Sequence, residues 1–449
     1  MTGRLIEAGL GLDWATLPAD VQAAAKTFLL DTVTVGFAGS TTPEAARAHA
    51  AVRRWGDGND APVIGHDWRL PAPAVAFVNG FQIHCLEWDC VHEQAVVHAM
   101  SVPTAALLAE AARAPATTGA DLLAGLVAAV DLSVNLGMAA TAPLRFFRPA
   151  TAGLMGAALG LSRMARGRSA MAADALGLAY SQVSGTMQAH VEGSIALPLQ
   201  IAFAARGAVT AHDLAAAGSS GPHDVIEGPF GYFALIEEQA DPARIADRLG
   251  KNFGIAELSH KPFPTGRAAH AVLDGLNVLM AQDAIQGAEI ERIDAFVPPL
   301  IARLVGRPAH ADMTPSYARL CLPYLAASQI MQGALGPASY TPERLQDAAV
   351  LALAERVFVH TDGTHDPNAM SPQRLELHLK DGRALELHIP HTLGAPGNPL
   401  SEAARDQKAL ACLAPALGDM AGQRLDALKR AIDALPRTDC GELVRLLAR

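Results

Sequence analysis

The 449-residue sequence has little cysteine, few aromatic residues and a deficit of positive charge. Its five cysteines are odd in number and form no CxxC pair, which argues against a disulfide framework or a zinc ribbon. The net charge of −10 argues against nucleic acid and anionic membrane surfaces as partners. The N-terminus carries acids and no long apolar run, so no signal peptide is expected, and no uninterrupted apolar segment of about 18 residues predicts a membrane span. We therefore expect a cytoplasmic protein.

Helical patterning dominates the first half of the chain. Half of all residues are hydrophobic and alanine is abundant, which favours closely packed helices. Because the length exceeds what one hydrophobic core usually serves, two domains are expected. Gly153, Gly156 and Gly160 fall on nearly one helix face and predict a tight helix crossing. Helices are predicted over residues 103–113, 120–136, 152–164, 170–188 and 199–209.

Strand-like alternation appears later in the chain. Leucines alternate with polar residues over 375–379, Asp381-Gly382 follows, and a second alternating run comes next. This is the sequence pattern of a β-hairpin. The expected fold class is therefore mainly α with a smaller α+β domain. The predicted domains are 1–260, rejoined by 396–449, for the large all-helical domain, and 261–395 for the smaller α+β domain.

Histidines and carboxylates are concentrated in residues 84–98. Imidazoles titrate near neutral pH and carboxylates do not, so such a cluster can hold an acid and a base together. The same residue types suit a divalent metal, although their spacing matches no standard signature. Proton-transfer chemistry and a metal-dependent hydrolase or lyase are both hypotheses at this point. The members of the cluster are His84, Glu87, Asp89, Cys90, His92 and His98.

Six collinear segments resemble motifs of the MmgE/PrpD family, which includes 2-methylcitrate dehydratase, cis-aconitate decarboxylase and iminodisuccinate epimerase. The resemblance runs over nearly the whole chain. The segments are LLDTVTVGFAG (29–39), AVAFVNGFQIHCLEWDCVH (74–92), VVHAMSVPTAALLAEA (96–111), SGPHDVIEGPFGYF (220–233), KPFPTGRAAH (261–270) and GAPGNPLS (394–401).

The resemblance implies a two-domain homodimer in which a smaller α+β lid covers a helical domain, with the active site between them. It also implies no obligatory metal or organic cofactor. Family substrates are small polycarboxylates, and the chemistry is proton transfer at a carbon next to a carboxylate. We therefore expect a cofactor-independent lyase or isomerase of the dehydratase, decarboxylase or epimerase type, whose partner is a small carboxylate.

The resemblance also assigns expected roles to individual residues. His98 corresponds to a family active-site histidine and is the expected acid or base. Glu87 and Asp89 occupy the positions of two family aspartates, and Lys261 is expected to supply charge for a carboxylate. Further candidates for substrate binding are Arg148, His84, His92, Arg267, His270 and His190. For each of these the alternative is a structural role, such as a surface arginine, a helix end or a core histidine.

Several positions depart from the family pattern. Leu197 and Gln200 stand where the family has lysine and histidine, and Arg148 stands where it has histidine. A lysine replaced by leucine removes one partner for a carboxylate, and an unpaired carboxylate there would be costly. One hypothesis is that the substrate carries fewer carboxylates or an apolar group. The other is a non-catalytic homologue that only binds a carboxylate.

Overall fold

The computed structural model describes the backbone of residues 1–449 and the side chains of all of them except residue 283. Helices predominate. In chain order they are α1 (Thr2–Leu10), α2 (Ala19–Ser40), α3 (Pro43–Val52), α4 (Ala72–His84), α5 (Ser101–Arg113), α6 (Gly119–Ala139), α7 (Arg148–Met164), α8 (Ser169–Tyr180), α9 (Gln188–Val191), α10 (Ala196–Ala216), α11 (Tyr232–Leu235), α12 (Ala243–Arg248), α13 (His270–Asp283), α14 (Pro299–Val305), α15 (Pro315–Ala318), α16 (Leu322–Gln332), α17 (Pro342–Leu345), α18 (Ala348–Ala354), α19 (Glu402–Leu417), α20 (Ala421–Ala434) and α21 (Gly441–Leu447).

The N-terminal domain is mostly helical, with α4, α5, α6, α7 and α10 at its centre. Helices α6 and α7 approach closely because glycines face the crossing: a Cβ on Gly156 would lie 2.2 Å from the carbonyl oxygen of Ala129. Among the described residues, α6 is the one helix long and apolar enough to cross a membrane by length and composition. Its most apolar window is 89% buried inside the protein, as in the core helix of a globular domain.

The C-terminal helices α19, α20 and α21 pack on the N-terminal helices and share their hydrophobic core, through residues such as Leu413 and Leu428. A buried ion pair ties α19 to α2, with Lys408 Nζ 2.7 Å from Asp31 Oδ1. The same ammonium donates to the carbonyl oxygen of Trp88, in the loop after α4. The chain therefore returns to the first core after completing a second one.

The second core is built on a mixed sheet and the helices around it, mainly within residues 268–389. The sheet has the strand order β4-β3-β5-β6, with β3 parallel to β4 and antiparallel to β5. The predicted hairpin at Asp381-Gly382 is confirmed as β5 and β6, paired from 373↔389 to 378↔384. The strands are β1 (Ala61–Pro62), β2 (Arg69–Leu70), β3 (Ile290–Val297), β4 (Val357–Thr361), β5 (Gln373–Leu379) and β6 (Ala384–Ile389).

One predicted helix is too long. The pattern predicts a helix over 170–188, but α8 ends at Tyr180. Gly185 has φ +98°, a left-handed conformation that interrupts the helix, and its backbone lies against the side chain of Gln200. The segment 181–187 therefore connects α8 to α9 as irregular chain.

Candidate active site

The histidine–carboxylate cluster forms where α4 ends and α5 begins. His84 is the last residue of α4, and Ser101 is the first residue of α5. Nearly all residues of the connecting segment 85–100 are buried. The chain turns back on itself through a short bridge between His92 and Val97. This turn brings His98 back beside His84, and their ring centroids lie 4.7 Å apart.

Asp89 lies at the centre of this cluster and is fully buried. The Nδ1 atoms of His84 and His98 each lie 3.0 Å from its Oδ2, and the hydroxyl of Ser101 donates to the same oxygen. An ionised carboxylate only accepts hydrogen bonds, so each Nδ1 carries its proton. The Nε2 atom of a neutral His98 then holds a lone pair, which is the form of histidine that can act as a base.

Glu87 lies on the Nε2 side of both imidazoles. Its carboxylate is 3.3 Å from Nε2 of His84 and 3.8 Å from Nε2 of His98. Lys261 Nζ donates to the carboxylate at 3.0 Å and to the main-chain oxygen of Glu87 at 2.9 Å. Glu87 has φ +53°, an uncommon and strained conformation for a residue with a Cβ. The two bonds from Lys261 therefore hold Glu87 in a backbone conformation that it would otherwise avoid.

These contacts separate the pKa values of the two histidines. Burial lowers the pKa of His84, but the charges of Asp89 and Glu87 outweigh burial and raise it above its ordinary value. Burial also lowers the pKa of His98, and there the net shift is downward, since Lys261 opposes the effect of Asp89. Burial raises the pKa of Glu87, but Lys261 and the two histidines bring it down to about 2. These shifts favour a protonated His84, a neutral His98 and an ionised Glu87.

A cavity of about 560 Å³, including its open mouth, adjoins this cluster between the two cores. Glu87 and His98 reach its wall from the N-terminal domain, and Gly266, Val305 and Met370 reach it from the C-terminal domain. Most of the remaining wall is apolar. It contains Val91, Val96, Leu144, Phe147, Pro149, Met187, His190, Leu197, Arg267, Ala268, Leu304 and Leu320.

The structure corrects the interpretation of Arg148 as a carboxylate ligand. Its side chain is fully buried, and Nε and Nη2 lie 2.9 and 2.8 Å from the two carboxylate oxygens of Glu237. Nη1 donates to the main-chain oxygen of Ala95 at 2.9 Å. Because both edges of the guanidinium are already bonded inside the protein, Arg148 is a structural residue that joins α7 to the segment after α11.

Arg267 is also bonded within the protein, although it contributes to the cavity wall. Nε and Nη2 donate to Glu93, at 2.9 and 2.7 Å. The remaining N–H groups donate to the main-chain oxygens of His260, Thr392 and Leu393. All five donors are used, so the contacts contradict its expected role as a substrate ligand.

The other predicted histidines are placed differently. His92 bonds Glu257 through Nε2 at 2.9 Å and accepts from the amide of Ala95, which fixes the turn and leaves no nitrogen for a substrate. His270 is fully buried at the start of α13, where Nε2 bonds the carbonyl of Thr265. Neither His92 nor His270 lines the cavity beside the cluster, so substrate binding by these two histidines stays a prediction. His190 does line the cavity, with Nδ1 3.1 Å from Arg307.

Sequence reasoning missed two polar residues beside the cluster, Ser101 and Arg319. Ser101 is the first residue of the alanine-rich helix α5. Arg319 follows α15, more than two hundred residues from His84, and lines a small cavity with His84 and Glu87. Ser101 lies within the matched segment 96–111, but nothing in that segment distinguishes it as a partner of Asp89, whereas only the folded chain brings Arg319 to the site.

The cluster also contains the residue types that bind divalent metals. His84, Glu87, Asp89 and His98 each offer a ligand atom, and these atoms all lie within 4.8 Å of one another. The ammonium of Lys261, 3.0 Å from Glu87, places a fixed positive charge at the same carboxylate. A divalent cation would have to displace or tolerate that charge, so the donor set suits proton transfer better than metal binding.

The fold and the site define a two-domain protein in which a mostly helical domain meets a mixed-sheet domain at a histidine–carboxylate cluster. The MmgE/PrpD N-terminal domain matches residues 6–245, and the MmgE/PrpD C-terminal domain matches residues 263–434. The chain belongs to the MmgE/PrpD family. It is thus an enzyme of that family, distantly related to cis-aconitate decarboxylase.

Three relatives show how low the sequence identity to cis-aconitate decarboxylases is. The chain is 27% identical over 403 residues to the cis-aconitate decarboxylase-like protein oryM of Aspergillus oryzae, covering 82% of each sequence. It is 26% identical over 413 residues to human cis-aconitate decarboxylase, covering 89% of this chain and 84% of the human protein. The mouse cis-aconitate decarboxylase is 25% identical over 408 residues, covering 87% of this chain and 82% of the mouse protein.

Proposed function

We propose that this protein is a lyase or isomerase that moves a proton at the carbon next to the carboxylate of a small carboxylic acid. The observation that carries the proposal is the arrangement of His98: its Nδ1 bonds Asp89, and its Nε2 side faces Glu87 at the wall of the cavity. A neutral imidazole held in this way is a positioned general base.

The neighbours of His98 supply what a proton transfer requires. When Nε2 accepts a proton from the substrate carbon, His98 becomes positively charged between Asp89 and Glu87, and both carboxylates stabilise that charge. The carbon–hydrogen electron pair is left on the substrate as an enolate. Return of the proton gives epimerisation, and expulsion of a β-hydroxyl group gives dehydration. In decarboxylation the electron pair comes from the broken carbon–carbon bond, and a protonated His98 delivers the proton.

Solvent-exchange NMR tests the proposal directly. The protein is incubated in D₂O with citrate, 2-methylcitrate, cis-aconitate, hexanoate and 3-hydroxyhexanoate, and loss of the C2 proton or formation of a product is followed. We expect exchange or turnover of at least one acid. His98→Asn should abolish it, because asparagine keeps a donor for Asp89 but has no basic nitrogen. His223→Gln, at an exposed histidine paired with Asp174, is the matched control and should behave as wild type.

Two results would count against the proposal. Wild-type rates in His98→Asn would remove His98 from the mechanism. Thermal stabilisation by several acids without exchange or turnover of any of them would favour a protein that only binds a carboxylate.

A metal-dependent reaction is the second candidate, because four ligand atoms lie within 4.8 Å of one another. Elemental analysis of the purified protein distinguishes the two candidates. A stoichiometric divalent metal, with activity lost on chelation and restored by the metal, would favour this candidate. Full activity in a protein stripped of metal would favour proton transfer by side chains alone.

A further inference from the structure

We propose that Arg319 binds the substrate carboxylate in a small cavity beside Glu87, and that the larger apolar cavity holds a hydrocarbon group of the same molecule. The substrate class is thus a carboxylic acid with one anionic end and one apolar end. This inference rests on the proposed function, since it places the reacting carbon between the two cavities, beside His98.

Arg319 is a buried cation without an anionic partner. The residue is 5% exposed, and its guanidinium carbon lies 4.7 Å from the ring centroid of Tyr340. Among the residues that the structure describes, none accepts a hydrogen bond from this guanidinium, and Nε is buried with no acceptor. A buried charge in this state is unfavourable unless an anion pairs with it. Arg148 and Arg267, by contrast, are both paired with carboxylates.

The backbone of Arg319 is held in place from the C-terminal domain. Its main-chain oxygen accepts a hydrogen bond from the hydroxyl of Thr265 at 2.8 Å and from the amide of Gly266 at 3.0 Å. The residue lies just before α16, and the ring of Tyr340 covers its side chain. A guanidinium fixed in this way can present two parallel N–H groups to a carboxylate, which is its preferred geometry.

The cavity next to Arg319 is small and partly polar. Its wall includes His84, Glu87, Ser194 and Ser316. Two hydroxyls and an unpaired guanidinium suit a carboxylate. The negative charge of Glu87 on the same wall places the anion at the Arg319 end, because like charges repel.

The small cavity adjoins the apolar cavity, since Glu87, Leu197 and Leu320 line both. The larger cavity contains one arginine, Arg267, and all its donors are bonded within the protein. A second substrate carboxylate in that space would lose its hydration without gaining a free cation, whereas an alkyl group would gain contact with the apolar wall.

Isothermal titration calorimetry with defined probes tests this assignment. The probes are hexanoate, acetate, hexan-1-ol and citrate, titrated into wild type, Arg319→Gln, Arg319→Lys and Arg445→Gln. Arg445 is an exposed arginine paired with Glu442 and serves as the matched control. Circular dichroism and a melting curve establish that each variant is folded, and Arg319→Lys keeps the charge if the glutamine variant does not fold.

We expect wild type to bind hexanoate more tightly than acetate, hexan-1-ol or citrate. Arg319→Gln should weaken hexanoate binding by about tenfold or more, as expected for loss of a charge-assisted pair, and leave hexan-1-ol unchanged. Arg319→Lys should retain part of the affinity, because it keeps the charge but loses the paired N–H groups. Arg445→Gln should match wild type. Citrate bound more tightly than hexanoate, no measurable hexanoate binding, or unchanged hexanoate binding in Arg319→Gln would each overturn the proposal.

The His98→Asn variant separates this inference from the proposed function. Hexanoate binding that depends on Arg319, together with no proton exchange in wild type, would support the carboxylate site and reject the proton-transfer function. Exchange that depends on His98, together with an unchanged KM in Arg319→Gln, would support the function and reject the carboxylate site. In both cases the calorimetric and exchange measurements give separate answers.

Discussion

His84 and His98 share one carboxylate oxygen: Nδ1 of each imidazole lies 3.0 Å from Oδ2 of Asp89, and the rings meet edge to face at 82°. The pKa values of the two histidines are nevertheless shifted in opposite directions. His84 is fully enclosed and lies closer to Glu87, so the carboxylates raise its pKa, whereas the pKa of His98 is lowered. The pKa values of two identical side chains are thus shifted in opposite directions, the arrangement that general acid–base chemistry needs.

The first prediction is a bell-shaped pH profile for kcat/KM, which reports the pKa values of the free enzyme. The base, His98, must be neutral, and since its pKa is lowered, activity should persist below pH 6.5 before it falls on the acid side. His84 must keep its proton to balance the carboxylates, and since its pKa is raised, activity should decline on the alkaline side above pH 6.5. Rates of exchange measured from pH 4 to 10 check both limbs. An acid limb centred above pH 6.5 would contradict the assignment of His98 as the base.

The second prediction concerns Asp89→Asn. The single amide oxygen could still accept Nδ1–H from both histidines, as Oδ2 does in the wild type, but the negative charge that stabilises a protonated His98 would be lost. We expect exchange to fall by about 10²- to 10⁴-fold, in the range of general acid–base contributions, while the fold is retained. Asp174→Asn, at a surface carboxylate 2.9 Å from His223, is the matched control and should keep wild-type rates. A loss of less than threefold in Asp89→Asn would show that the negative charge of Asp89 does not assist proton transfer by His98.

Much of this architecture follows from local sequence patterns. The hairpin was predictable because strict alternation and Asp-Gly are both local features, and β5 accordingly buries Leu375 and Leu377 while Glu376 points outward. Helices α5, α6 and α7 were also predictable within four residues at each end from apolar periodicity, whereas α10 runs seven residues past its predicted end at residue 209. The clustering of four site residues was predictable because all of them lie within one short segment: His84, Glu87, Asp89 and His98.

The roles of the arginines were not predictable, because they depend on distant partners. Arg148 lies 89 positions from Glu237 in the sequence, and Arg267 lies 174 positions from Glu93. No local pattern distinguishes an arginine that binds a substrate from one that is paired inside the protein. Arg319 differs from both because, among the described residues, no carboxylate forms an ion pair with its guanidinium, which is a property of the folded chain.

The third prediction tests the buried pair of Arg148 and Glu237. Glu237→Gln should lower the free energy of unfolding by about 3–5 kcal/mol, because it leaves an uncompensated buried charge. Glu442→Gln, which breaks the exposed pair with Arg445, should change it by less than about 1 kcal/mol. Urea unfolding followed by circular dichroism measures both. Equal stability of the two variants would show that Arg148 finds another partner.

The fourth prediction concerns the crossing of α6 and α7. Gly156→Ala would place a Cβ 2.2 Å from the carbonyl oxygen of Ala129, so the helices must separate. We expect a loss of about 1–3 kcal/mol in the free energy of unfolding from this overpacking. Gly422→Ala, on the exposed side of α20 with nothing within 4 Å of the new Cβ, should instead stabilise by about 0.5–1 kcal/mol through helix propensity. Urea unfolding measures the free energy of unfolding of both variants and so checks the expected loss and the expected gain.

The last prediction uses Leu197, which lines both cavities. Leu197→Lys would bring a cation next to Glu87 and into the apolar wall. We expect hexanoate to bind about tenfold more weakly and the six-carbon dicarboxylate adipate to bind more tightly than in wild type, because its second carboxylate then gains a partner. Leu197→Met keeps the wall apolar at similar volume, so its affinity for hexanoate should stay within about threefold of wild type. If Leu197→Lys leaves the relative affinities for hexanoate and adipate unchanged, the new ammonium pairs fully with Glu87. The apolar wall near Leu197 then does not select the substrate.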